Sequence, residues 1–156
     1  MAFVCTASCG FGLEILGAGP VSVAIINIGH DNIKPLNYTA VIGLDILPGG
    51  SYELYVQLVE ADDATGEDRL FWSGRDTSFI KGVADRAAVL DAILTGLRVL
   101  ISRNGPDEFS WFTYDEAMPK KALVKFQSFK EVIEGCGYTV TSSRLAAGRK
   151  AWKARR

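Results

Sequence analysis

The sequence predicts an α/β protein with an α+β mixed sheet, in which an antiparallel meander of strands is followed by an α-β-α-β succession. Three observations predict it. Residues 39–60 alternate apolar and polar on either side of Pro48-Gly49-Gly50-Ser51, the pattern of a hairpin. Residues 83–104 repeat their apolar side chains at helical spacing instead. The stretch FSWFTY at 109–114 is short and aromatic, as a strand following a helix would be.

Taken in order, residues 1–20 are apolar, rich in glycine and broken by Gly19-Pro20, which predicts an N-terminal arm or an irregular edge strand. Val21 to Ile28 is rich in β-branched residues and is expected to open the 21–156 domain as a strand. His30 to Pro35 is a turn. Thr39 to Leu47 sets Ala40, Ile42, Leu44 and Ile46 on one face, and Tyr52 to Glu60 answers with Tyr52, Leu54, Val56 and Leu58. Asp62, Asp63, Glu67 and Asp68 around Gly66 make a solvated tip, from which Arg69 to Ser73 returns as a third meander strand.

The long helix follows Gly82. Val83, Leu90, Ile93, Leu94, Leu97, Leu100 and Ile101 share one stripe, and Asp85, Asp91, Arg98 and Ser102 lie off it. Gly96 inside it costs about 1 kcal/mol relative to alanine, and Asn104-Gly105-Pro106 ends it. Pro119 opens a second helix, Lys120 to Glu134, with Leu123, Phe126, Phe129, Val132 and Ile133 on its apolar side. Tyr138 to Thr141 is a short strand. Residues 143–156 are expected to form a basic C-terminal helix with Leu145, Ala146 and Trp152 on a weak apolar side.

Composition fits one core of ordinary size: 156 residues, 48% of them hydrophobic, with three tryptophans, which excludes a disordered chain. The net charge of −1 hides an uneven distribution. Six of the 17 basic residues fall in 144–156 without an acid, so the remainder carries 11 basic against 18 acidic residues. A basic tail on an acidic body suits a polyanion. Cys5, Cys9 and Cys136 have no metal-ligand spacing, which favours free thiols and a cytoplasmic setting. No basic leader precedes the apolar start, and no uncharged run reaches membrane-spanning length.

Trp72-Ser73-Gly74 with Asp76-Thr77 closes a strand, and a polar loop and the alanine-rich RAAVLDAILTGL follow it. The strand FSWFTYD ends on Asp115. Over about Asn37 to Trp152 this succession resembles the ribonuclease-H-like family. The resemblance implies metal-dependent phosphodiester hydrolysis, in which clustered carboxylates hold two magnesium or manganese ions. It makes Asp45 and Asp115 the metal ligands and catalytic acids. The family's helix acid falls on Ala88, with Asp85 and Asp91 on either flank as substitutes. The implied partner is nucleic acid, either an RNA–DNA hybrid or a single strand. For it the tail offers Arg144, Arg149, Lys150, Lys153 and Arg155 to phosphates and Trp152 to a base.

A second resemblance is to the GNAT acyltransferase core. Phe79-Ile80-Lys81-Gly82-Val83-Ala84 matches the Gly-x-Ala of its pyrophosphate loop, with Phe79 in place of Gln or Arg, which implies acetyl-CoA at a helix N-terminus. The third reading is a non-catalytic protein-interaction or dimerisation module. His30, the single histidine, reads as a surface turn residue.

Overall fold

The computed structural model describes residues 2–71, 77–113 and 120–156. Among them nine strands form one mixed sheet and two helices pack on it. β1 (Phe3–Cys5) and β2 (Leu13–Leu16) both run antiparallel to β3 (Val23–Asp31), one against each end of it. Residues 1–20 therefore hold two edge strands joined through a 3-10 turn at Ala7–Cys9, and are not a loose arm. β3 pairs with β4 (Leu36–Ile46), which pairs along its whole length with β5 (Tyr52–Asp62). β6 (Asp68–Phe71) folds back on the far end of β5.

The helix α1 (Val83–Asn104) carries the chain to β7 (Glu108–Phe112), which meets β5 in parallel through a single residue pair, Glu53 with Ser110. β4 fills one side of β5, so β6 and β7 share the other side from opposite ends. After α2 (Lys120–Gly135) come β8 (Thr139–Arg144) and β9 (Lys150–Arg155), and β9 inserts between β7 and β8. The sheet order is β1-β3-β4-β5-β7-β9-β8.

Alternation along the strands divides the sheet into two faces. Ile26, Ile42, Leu44, Leu54, Trp111 and Trp152 point to the helix side and are buried. The predicted hairpin faces hold except at Ile46, which lies at the strand end and is 59% exposed. On α1 the buried line runs through Val89, Ala92, Ile93, Gly96, Leu97, Leu100 and Ile101. Val83, expected in the stripe, is 84% exposed because it belongs to the first turn, ahead of the sheet. The small residues Ala92 and Gly96 let the helix come close. A Cβ on Gly96 would lie 2.8 Å from Ile26 Cδ1 and 3.1 Å from Ile42 Cδ1. That contact is what the glycine's helix cost is exchanged for.

The expected helix over 143–156 is a hairpin. Ala147 and Gly148 take left-handed φ values of 59° and 75°, and the Leu145 amide donates to Arg149 O at 2.8 Å, which closes the turn. Local reading failed here because Lys-Ala-Trp-Lys-Ala-Arg also has a strand period, and tertiary packing selected it. Trp152 is stacked on Phe126 at 5.1 Å and on Trp111 at 5.9 Å, and it is 6% exposed. No helix among the described residues is long and apolar enough to cross a membrane.

Replacing Trp152 with alanine opens a cavity between α2 and the sheet. The expected loss is about 3–5 kcal/mol in urea unfolding followed by tryptophan fluorescence.

Candidate functional site

Alternation along β8 and β9 sorts the basic residues of the C-terminal segment. Arg144 pairs with Lys150 across the two strands, and Ser142 pairs with Trp152, so all four side chains face α2. Lys153 and Arg155 face the opposite way, where both engage Glu108 of β7. Lys153 Nζ lies 2.6 Å from Glu108 Oε1, and Arg155 Nε donates to Glu108 Oε2. These two partners, Lys153 first, hold the Glu108 carboxyl below the usual glutamate range. Arg149 turns inward at the hairpin and donates from Nε to Ala146 O at 3.4 Å. The six-residue set expected to bind nucleic acid is therefore split between two faces of the sheet. Trp152, sandwiched in the core, has no face free for a base.

A cleft of about 590 Å3 remains between α2 and the β8–β9 hairpin. It is lined by Leu123, Val124 and Gln127 from the helix and by Ser142, Ser143, Arg144, Lys150 and Trp152 from the strands. Neither Arg144 nor Lys150 has an ion pair among the described residues. Two cations side by side, the Ser142 hydroxyl and one amide, closed at one end by the buried Trp152, make a site for an anion with further polar oxygens. Ser142 and Gln127 did not stand out in the sequence, because nothing local distinguishes a strand serine facing a helix, such as Ser142, from one facing away, such as Ser143.

The acidic positions are placed differently. Asp45 is exposed near the end of β4, directly opposite Glu53 of β5, on the face away from the helices. Burial, then the charge of Asp45, pushes the Glu53 carboxyl up. The same two causes raise Tyr55, which lies over Gly43. Hairpin register would have revealed Glu53, since Ile46 opposite Tyr52 across the Pro48–Ser51 turn puts Asp45 opposite Glu53. Asp85 opens α1 half-buried beside Gly82, and Asp91 is exposed one to two turns later. α1 packs on the other side of the sheet from Asp45, so the helix acids do not join it. Asp115, Trp72-Ser73-Gly74 and Asp76 lie outside the described residues.

Two-metal chemistry needs three or four convergent oxygen ligands. The described residues supply Asp45 and Glu53, and among them no group of three or more metal-ligating side chains forms. These two alone do not make up the set a magnesium or manganese pair needs, and Asp115, the other expected ligand, lies outside the described residues, so no hydrolytic step follows from them. The residues at the α1 N-terminus do not fit the acetyl-CoA pyrophosphate either. Phe79 packs against Phe3, Tyr38 and Phe71 rather than presenting a polar group, and the Asp85 carboxylate lies beside Gly82, where it would repel a pyrophosphate. No family model, curated protein or solved structure matches the chain.

Because the Glu53 pKa is raised in the folded state, the native protein holds that proton to higher pH than the unfolded chain does. Its contribution to stability falls as pH rises from the ordinary glutamate value of 4.5 through the folded value. Glu53→Gln removes this term, so the variant is expected to melt higher than wild type at neutral pH, with the difference shrinking towards pH 4. Melting temperatures across that pH range check it.

Proposed function

We propose that the chain binds single-stranded nucleic acid through its phosphates, held in the cleft between α2 and the β8–β9 hairpin. The observation that carries this reading is the placement of Arg144 and Lys150 side by side on that cleft without a carboxylate partner among the described residues. Phosphodiester oxygens are the ligand such an array fits: each cation takes a charge-assisted contact, and Ser142 donates to a remaining oxygen. The size of the cleft favours one of the two expected partners. A volume of small-molecule scale suits a nucleotide or two of a single strand better than a double helix such as an RNA–DNA hybrid.

The succession of meander, helix, strand and helix is common to the ribonuclease-H-like and GNAT-like resemblances, so it does not choose a ligand. The cleft does. The ribonuclease-H-like reading is kept here in its binding form, with specificity for the polymer residing in backbone charge rather than in base edges.

Fluorescence anisotropy with a short labelled single strand tests the proposal. The double variant Arg144→Glu/Lys150→Glu is expected to bind at least about tenfold more weakly. Its slope of log affinity against log salt is expected to be shallower by about 1.4, at roughly 0.7 per phosphate contact. Lys153→Glu, on the other face, should stay within about twofold of wild type. Unchanged affinity in the double variant overturns the proposal. Magnesium- or manganese-dependent cleavage of the strand that is lost in both Asp45→Asn and Asp115→Asn would replace it with the nuclease reading.

A further inference from the structure

Arg144 and Lys150 stand directly opposite one another across β8 and β9. Opposed residues in an antiparallel pair hold their Cβ atoms about 4.5–5.5 Å apart, and like charges there destabilise the pairing. On the other face of the hairpin Glu108 relieves Lys153 and Arg155, whereas Arg144 and Lys150 have no carboxylate between them among the described residues. A third donor shares their side of β8: Ser142, two residues and about 7 Å further along the strand. Beyond Ser142 the cleft stops. Trp152, its cross-strand partner, is held between Trp111 and Phe126. The next pair facing the same way, Val140 with Ala154, is 9% and 0% exposed. The open end lies at the hairpin turn, where residues 145–148 are exposed.

We infer that the cleft takes the terminal phosphate of a single strand in preference to a phosphate inside one. The inference rests on the nucleic-acid reading above and narrows it to strand ends. Charge is the first argument. A phosphomonoester carries about −1.5 to −2 at neutral pH, against a single charge on a phosphodiester, so the terminal group matches both cations and relieves their mutual repulsion. The count of oxygens is the second. A monoester presents three acceptor oxygens, and Arg144, Lys150 and Ser142 present three donor groups on one side of the hairpin. A phosphate within the strand has given one of those oxygens to the next sugar. The shape is the third. A strand that enters at the hairpin turn meets the Trp152 stack and the buried Val140–Ala154 pair, so it ends there instead of running through. Leu123 and Val124 of α2 give the last nucleotide an apolar wall within the cleft of about 590 Å3.

Fluorescence anisotropy on the full chain compares one short, internally labelled sequence in three forms: with a 5′-phosphate, with a 3′-phosphate, and with hydroxyls at both ends. At least one phosphorylated form is expected to bind about tenfold more tightly than the hydroxyl form, the gain from one more charge-assisted contact, and the form that gains identifies the end. Arg144→Gln and Lys150→Gln, each alone, are expected to shrink that advantage to about twofold or less. Equal wild-type affinity for all three forms overturns the inference. If Arg144→Glu/Lys150→Glu still weakens binding in that case, the backbone-phosphate reading stands without it. Binding of none of the three forms overturns both. Inorganic phosphate that competes as well, mole for mole, as the phosphorylated strand also overturns the inference, because no strand end is then needed. The comparison of strands uses the unaltered chain, so its outcome does not depend on any variant folding.

Discussion

One backbone contact divides the molecule and joins it: the parallel meeting of β5 and β7 at Glu53 and Ser110. On one side of it, β1 to β6 form an antiparallel unit built from hairpins. On the other, β7, β9 and β8 form a second antiparallel unit. A parallel neighbour cannot be reached by a tight turn, so the chain must leave the sheet and return, and α1 is the element that makes the crossing. Because the strand contact itself is so short, side chains hold the halves together. Ile101 and Leu100 of α1 are buried beyond the seam, Gly105 follows against the Tyr138 hydroxyl, and that hydroxyl donates to Pro106 O at 2.7 Å. The core is continuous across the junction even though the hydrogen-bond ladder there is minimal.

How much of this was legible in the sequence varied with how far each signal reached. The Thr39–Glu60 hairpin and the long helix were readable because each rests on residues close in sequence: a Pro-Gly-Gly turn, and a stripe ended by Asn-Gly-Pro. The C-terminal hairpin was not. Its strand character depends on Trp152 finding Trp111, 41 residues earlier, and Phe126 on a helix, contacts without local trace. The same long-range pairing decided the site. Six basic residues in a row of thirteen look like one patch, but a two-residue period sends Lys150 and Arg144 to one face and Lys153 and Arg155 to the other. Asp45 and Asp85 likewise read as members of one acidic set, yet the sheet stands between them.

Electrostatics follows from that sorting. On the face away from the helices, Glu108 pairs with the two cations nearest it, and Asp45 and Glu53 face each other as like charges near the seam. On the helix side, α2 turns Leu123, Val124 and Gln127 towards the hairpin and brings no carboxylate to the cleft. The acidic body and basic tail seen in composition therefore do not simply attract one another. Part of the tail is paired with Glu108, and Arg144 and Lys150 on the other face have no ion pair among the described residues.

The missing side chain at Gly96 reaches further than the helix it sits in. It sets how deeply α1 rests on Ile26 and Ile42, and α2 in turn leans on α1, with the Ser102 hydroxyl 3.3 Å from Cys136 Sγ and that thiol donating to Arg98 O. The near wall of the cleft is thus gauged from a residue several turns away that touches no ligand. Any methyl group added there acts as a shim under one helix, and its thickness is passed on, through the other, to the width of the opening.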